Sequence, residues 1–230
     1  MQRRSLRAGL LLAVLLGVSA CVSVPPDFAK VRRDGDAIVF TGRIDLVSAR
    51  EFLDLLPDPA VRRLVIRSQG GLVAPALEMA EALRARGLDI EVKDVCLSSC
   101  ANYIFPAARR KTISGPGAVA WHGNMAHVIY RQTRGEEQWS EDMMSQAREL
   151  APREEAFFRS VGVDGFVCWF GKIPPYGEGD FYSLSVADMK RFGITDVTVA
   201  NPSAPLPAGV RMLTVDFATL EAGRPPQRQQ

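Results

Sequence analysis

The run Leu64-Val65-Ile66 ends at Ser68-Gln69-Gly70-Gly71, and from Leu72 onward the apolar spacing is no longer that of a strand. Leu72, Ala76, Met79, Ala80 and Leu83 repeat at helical intervals until Gly87 stops the series. A strand that passes into a helix through four small or polar residues constrains the architecture tightly. The helix packs back on its strand, and the next strand returns parallel to the first. The pattern recurs along the chain. Strands are expected at 37–41, 63–67, 89–92, 111–114 and 118–121, and further helices at 45–56, 99–105, 136–150, 152–158 and 185–192. Asp45 is read as an N-cap, Pro106 and Gly193 as helix ends, and Pro152 as a helix start. Trp139, Met143, Ala147 and Leu150 share one face of 136–150. The expected fold is α/β, with a mainly parallel sheet flanked by helices.

The N-terminus reads differently. Arg3, Arg4 and Arg7 precede an apolar run that is short for a membrane span. It closes on Val18-Ser19-Ala20-Cys21, which resembles a lipobox. That resemblance implies cleavage before Cys21, lipidation of its thiol, and a mature chain held in a bacterial envelope. Several acyl chains make such anchoring stable. Val22, where an Asp would retain the protein in the inner membrane, implies the periplasmic face of the outer membrane. The expected organisation is a signal peptide at 1–20, a tether at 21–36 with Pro25-Pro26, a folded domain at 37–200, and an extension at 201–230. The Pro/Gln/Arg-rich end of that extension is expected to be disordered.

Setting Arg3, Arg4 and Arg7 aside from the 28 Lys and Arg leaves 25 against 26 Asp and Glu, a formal charge of −1. No basic field remains to recruit nucleic acid. The remaining 210 residues suffice for one domain with a substantial core. After Cys21, three cysteines are left: Cys96, Cys100 and Cys168. An odd number in an oxidising compartment implies one bridge and one free thiol. Cys96–Cys100 and Cys100–Cys168 are the two pairings considered. With only two histidines, and no metal-binding motif, neither a metal nor an organic cofactor is expected.

Three segments carry chemistry: the Gly70-Gly71 turn, Cys96-Leu97-Ser98-Ser99-Cys100 opening a helix of small and apolar residues, and Val119-Ala120-Trp121-His122-Gly123. A Gly-Gly turn lets the backbone approach a bound carbonyl. A serine at a helix start lies beside unpaired amides that can stabilise an oxyanion. Its hydroxyl needs a neighbouring base, and His122 ends a strand where it can serve. Taken singly, each feature has an ordinary structural explanation: a tight turn, helix N-caps, a packed histidine and small core thiols.

The order and spacing of these segments over residues 37–197 resemble the Clp protease proteolytic subunit and signal peptide peptidase A. Both are serine peptidases on the ClpP/crotonase fold, built of repeated ββα-type units. The resemblance implies Ser99 as nucleophile, His122 as base and Asp180 as the group that orients it. Gly70, Gly71 and Cys100 would supply the oxyanion and substrate-binding backbone. Ser98 is the alternative nucleophile, favoured when the register is centred on the cysteines. Lys111 and Lys172 are conceivable lysine bases, although no motif surrounds them. Gln69 stands where the Clp motif has proline, and the bracketing cysteines are required by neither family. They resemble instead a group of periplasmic proteins with a Cys-x-Ser-x-Cys element on this fold. In partner terms the resemblance implies a peptide or protein substrate, with a homo-oligomer left open. The competing readings are a non-catalytic envelope lipoprotein that uses this scaffold for binding, and an acyl-CoA enzyme. The expected location argues against the latter, because acyl-CoA is cytosolic.

Overall fold

The computed structural model describes residues 29–177 and 180–224. Cys21, the expected signal peptide and the extreme C-terminal tail lie outside the described residues. One six-stranded sheet has the order β1(Lys30–Asp34), β2(Ala37–Thr41), β3(Arg63–Ser68), β4(Asp89–Leu97), β5(Lys111–Ala120), β7(Val197–Val199). β1 runs antiparallel to β2; every other pairing in this sheet is parallel. A second sheet pairs β6(Phe181–Leu184) with β8(Val210–Leu213). The protein is therefore α/β with a mainly parallel sheet, as expected.

Helices α1(Leu46–Leu55) and α2(Val73–Arg86) connect the first parallel strands. Asp45 caps α1 in a reciprocal box with Ser48, and Gly87 ends α2 in the left-handed conformation that a side chain would strain. Ile38, Phe40, Leu64, Ile66 and Val92 are fully buried beneath these helices. Burying each such side chain contributes about 1.5–3 kcal/mol.

β4 and β5 are longer than the sequence pattern suggests. The segments expected at 111–114 and 118–121 are one strand that bends at Gly115-Pro116-Gly117. Its partner β4 bends at Asp94, and the pairing jumps from Lys93↔Ser114 to Val95↔Ala118. Each of these strands thus acts as two short ones, and the crossover between them reads as ββα. Beyond its bend, the end of β5 meets the second sheet. Trp121 and Tyr182 exchange backbone hydrogen bonds of 2.9 and 3.0 Å and join the two sheets there.

Four segments differ from expectation. The expected tether contributes β1, a charged edge strand whose pattern hides its role. Residues 136–140 are not helical. Instead α4(Met125–Thr133) precedes them, and α5(Glu141–Val161) starts at the Ser140 cap with Glu141 and Asp142 in its first turn. α5 passes through Pro152 unbroken, because that residue lies on the exposed side. Past 200, β8 and α7(Phe217–Gly223) fold onto the core through Val215 and Leu220. α6(Val186–Arg191) matches its expected position under the Ser185 cap. Among the described residues, no helix is long and apolar enough to cross a membrane.

Candidate active site

The C-terminal ends of β4 and β5 carry the site. β4 ends at Leu97, and Ser98 turns the chain with φ +55° before a π-helix, Cys100–Ile104, that continues into α3(Phe105–Ala107). A serine in the left-handed region costs roughly 1–3 kcal/mol and persists where its surroundings over-determine it. They do so here. The Ser98 amide donates to Ala120 at 3.1 Å, its carbonyl accepts from Asn102 at 2.8 Å, and a Cys96–Cys100 disulfide spans the turn. Cys168 is the free, buried thiol, and burial raises its pKa.

The turn projects Ser98, not Ser99, toward the end of β5. Ser98 Oγ lies 2.7 Å from His122 Nε2. Ser99 is buried, and its Oγ accepts from the Gly71 amide at 2.8 Å while donating to the Gly71 carbonyl at 3.3 Å. The structure therefore corrects the expected Ser99–His122 pairing. The left-handed step at Ser98 rotates consecutive side chains apart, so one faces the histidine and the next faces the Gly-Gly turn. It also corrects the expected role of Gly71, whose amide is already taken by Ser99.

Gly70 and Gly71 are needed for close approach. A Cβ on Gly70 would lie 2.6 Å from the Leu97 carbonyl oxygen and 2.8 Å from Ser98 Cβ; one on Gly71 would collide with the Ile44 carbonyl oxygen. Gly70 lets the β3–α2 turn press on the serine turn, and Gly71 lets it press on the β2–α1 connection. No backbone acceptor engages the Ser99 or Cys100 amide among the described residues.

His122 is exposed at the cleft mouth, with its ring 4.5 Å from that of Phe181. Desolvation and then the charge of Lys172 lower its pKa, so the neutral base form predominates at neutral pH. Asp180 lines the same cleft, but among the described residues no hydrogen bond joins it to His122. Lys111 is at the other end of β5, bound to the carbonyls of Ala108 and Thr195 at 2.8 and 3.1 Å.

The cleft holds about 810 Å³ and is lined by Ser98, Asn102, His122, His127, Trp139 and Lys172 among others. Asn102 sits one turn beyond Ser98. Its Nδ2 donates to the Gly123 carbonyl at 2.9 Å, leaving Oδ1 buried without a partner. His127 lies on α4 and stacks on Trp169 at 5.3 Å. Burial first, and then the Arg131 and Lys172 charges, lower its pKa to about 4, so it is neutral; its Nε2 has no partner either. Trp139 Nε1 is the third such atom. A buried polar atom left unpaired costs roughly 1–3 kcal/mol.

Behind the cleft stands Glu154 of α5, 1% exposed. It accepts the Tyr103 hydroxyl and the amides of Met125 at 3.1 Å and Ala126 at 3.3 Å. It thereby ties the helix after Ser98 to the helix after His122. Burial raises its pKa to about 7 against the opposing effect of these bonds. Asn102, His127, Trp139 and Glu154 escaped the sequence reading as site residues. Glu154 had a usable signal: it falls in register with Ala147, Phe157 and Phe158 on the buried stripe of α5.

The fold and site together define an α/β protein with a Ser–His pair at the C-terminal ends of neighbouring parallel strands. No family model matches the chain, and no curated protein matches it. Among solved structures, it is similar to a probable enoyl-CoA hydratase/isomerase from Mycobacterium abscessus. That likeness is 13% identity over 45% of this chain and 51% of the other, with a TM-score of 0.32. An enoyl-CoA hydratase from Mycobacterium avium subsp. paratuberculosis K-10 aligns at 14% identity over 46% and 50%, with a TM-score of 0.30. The chain spans about half the length of these structures. The likeness is partial and confined to scaffold; it lends nothing to the chemistry.

Proposed function

We propose that this protein is a serine hydrolase of the peptidase-like kind on a crotonase-like scaffold, with Ser98 as nucleophile and His122 as base. We also propose that it is held on the periplasmic face of a bacterial outer membrane by lipid on Cys21. The observation that carries the catalytic reading is the 2.7 Å contact between Ser98 Oγ and His122 Nε2 at a strained strand-to-helix turn. With its proton on Nδ1, His122 accepts the Ser98 proton at Nε2 as Oγ attacks a carbonyl carbon. The resulting oxyanion meets the Ser99 and Cys100 amides. Collapse expels the leaving group, which takes the proton back from His122, and water then releases the acyl group by the same steps. The bent β4 and β5, the Gly-Gly turn and the two-stranded second sheet support the scaffold reading.

A fluorophosphonate probe tests the proposal. Wild type should label on Ser98, and Ser98→Ala and His122→Ala should lose labelling by a thousandfold or so. Ser99→Ala should still label. If wild type fails to label at any pH from about 5 to 9, the hydrolase reading falls and a binding scaffold takes its place.

A further inference from the structure

Unpaired polar atoms of Asn102, His127 and Trp139 line the cleft and take no part in the acyl transfer. Two belong to side chains more than nine-tenths buried: Asn102, 3% exposed, and His127, 6% exposed. Both flank Gly123. Asn102 Nδ2 donates to its carbonyl, and a Cβ at Gly123, where φ is +134°, would lie 2.8 Å from His127 Nδ1. Asn102, one helical turn inward from Ser98, and His127, on α4, therefore stand on either side of Gly123 in the cleft.

For Asn102 and Trp139 the hydrogen-bond type is fixed by chemistry and contacts; for His127 it follows the tautomer. Only the nitrogen of a carboxamide can donate to the Gly123 carbonyl, so the free atom of Asn102 is an acceptor. The Asn102 amide also lies beside the Tyr103 hydroxyl, whose own proton goes to Glu154, so nothing there satisfies Oδ1. Trp139 Nε1 can only donate. His127 is neutral, and its Nε2 accepts when the proton sits on Nδ1. With His127 in the Nδ1-protonated tautomer, the cleft presents two acceptors and one donor. The cations beside them do not make it an anion site. Arg131 faces Glu136 at 3.7 Å and Glu137 at 3.4 Å, and a carboxylate brings no proton for Asn102 Oδ1.

We propose that Asn102, His127 and Trp139 form a specificity subsite for an uncharged primary carboxamide, the side-chain group of a glutamine-like acyl substrate. Its two N–H bonds match Asn102 Oδ1 and His127 Nε2, and its carbonyl matches Trp139 Nε1. A side chain fits this role better than an extended main chain, because the subsite lies deep to Ser98. The placement beside the reacting carbonyl rests on the hydrolase reading; the subsite itself rests only on the unpaired atoms.

The test uses the full-length protein and p-nitrophenyl esters of N-acetyl-glutamine, N-acetyl-glutamate and N-acetyl-methionine, which share size and differ in hydrogen bonding. The glutamine ester should show a kcat/KM at least about tenfold above the other two, since leaving built polar groups unpaired discriminates strongly. Asn102→Leu should erase the glutamine-to-methionine ratio. Turnover of all three at equal rates would leave the hydrolase standing and overturn the subsite, assigning its atoms to ordered water. A second measurement needs no turnover. N-acetyl-glutamine amide should move the Trp139 indole N–H resonance of Ser98→Ala protein, assigned through Trp139→Phe, and N-acetyl-glutamate amide should not. That shift without any ester turnover would keep the subsite and reject the hydrolase. Equal or absent shifts with both amides would reject the subsite.

Discussion

At the N-terminal ends of β4 and β5 the charged side chains are paired. Asp89 binds Arg109 at 3.0 Å and Arg110 at 2.6 Å, Arg63 binds Glu91 at 3.0 Å, and the buried Lys111 binds two carbonyls. The hollow there, about 600 Å³, is lined by groups that neutralise one another. At the C-terminal ends of the same strands, Ser98 is held in the left-handed region, and Asn102, His127 and Trp139 keep unpaired polar atoms. A fold that satisfies its polar groups at one end of two strands has the means to satisfy them at the other. Left-handed residues occur at both ends, Asp196 at one with φ +56° and Ser98 at the other, but unpaired buried side-chain polarity among the described residues gathers at the serine end and points to a site whose missing partners come from outside.

The largest effect on stability should come from Glu154, the strut between the serine helix and the histidine helix. Its folded pKa of about 7 lies above the ordinary 4.5, so the folded state binds a proton that the unfolded state has released. The stabilisation from that proton is complete below about pH 4.5 and is lost as pH rises through 7; its full span is about 3 kcal/mol. Wild-type stability, measured by denaturant unfolding, should therefore fall between about pH 5 and 8 relative to Glu154→Gln, which does not titrate. Parallel curves for the two proteins would mean that Glu154 stays ionised throughout.

The paired end should respond in the opposite direction. Burial raises the pKa of Asp89, but the hydrogen bonds from Arg110 and Arg109 outweigh it and hold the carboxyl at about 2. Its contribution is present above 3.8 and lost as pH falls through 2. Asp89→Asn should cost about 1–2 kcal/mol at neutral pH, discounted for partial exposure, and only a small fraction of that near pH 2. Acid titration of unfolding free energy checks this. A cost undiminished at pH 2 would assign the loss to packing.

Smaller still, and of the other sign, is the effect expected at the serine turn. Ser98→Gly removes a side chain from φ +55° and should stabilise the protein by about 1 kcal/mol or less, after the entropy of glycine is counted. Probe labelling should vanish in the same variant. Asp94 has nearly the same conformation, φ +61°, in the bulge of β4, and Asp94→Gly should leave labelling intact. Thermal melts with labelling on both variants separate strain that serves the site from strain that serves the strand.

The same contrast explains what could be read from sequence. Alternating strand and helix periods, the Asp45 cap and the Gly87 stop are local signals, and the structure follows them. The pairing of Ser98 with His122 is not local. It depends on a left-handed step that no residue type announces, since serine is not a left-handed former; only the bracketing Cys96 and Cys100 hinted at it. Gly70-Gly71 was legible as a turn, but its partner was not: the Ser99 hydroxyl arrives from 28 residues away. α4 was missed because its start is set by the Asn124 cap and the buried Glu154, one adjacent and one distant.

The finest test concerns the electrostatics of the base. Desolvation lowers the pKa of His122, and the positive charge of Lys172 lowers it further. Proton acceptance requires neutral imidazole, so the acid limb of the labelling rate should lie below the ordinary histidine value of 6.5. Lys172→Met removes the charge and leaves the desolvation, so the limb should move to higher pH, back toward 6.5, without disappearing. The rate on the plateau above it should change little, because the nucleophile and its base are untouched. Added salt should move the wild-type limb the same way, since the cleft is open to solvent and screening weakens the lysine field. The Lys172→Met profile should respond less to salt. If neither substitution nor salt displaces the limb, the group it reports is not His122, and the 2.7 Å contact with Ser98 is a hydrogen bond without a catalytic consequence.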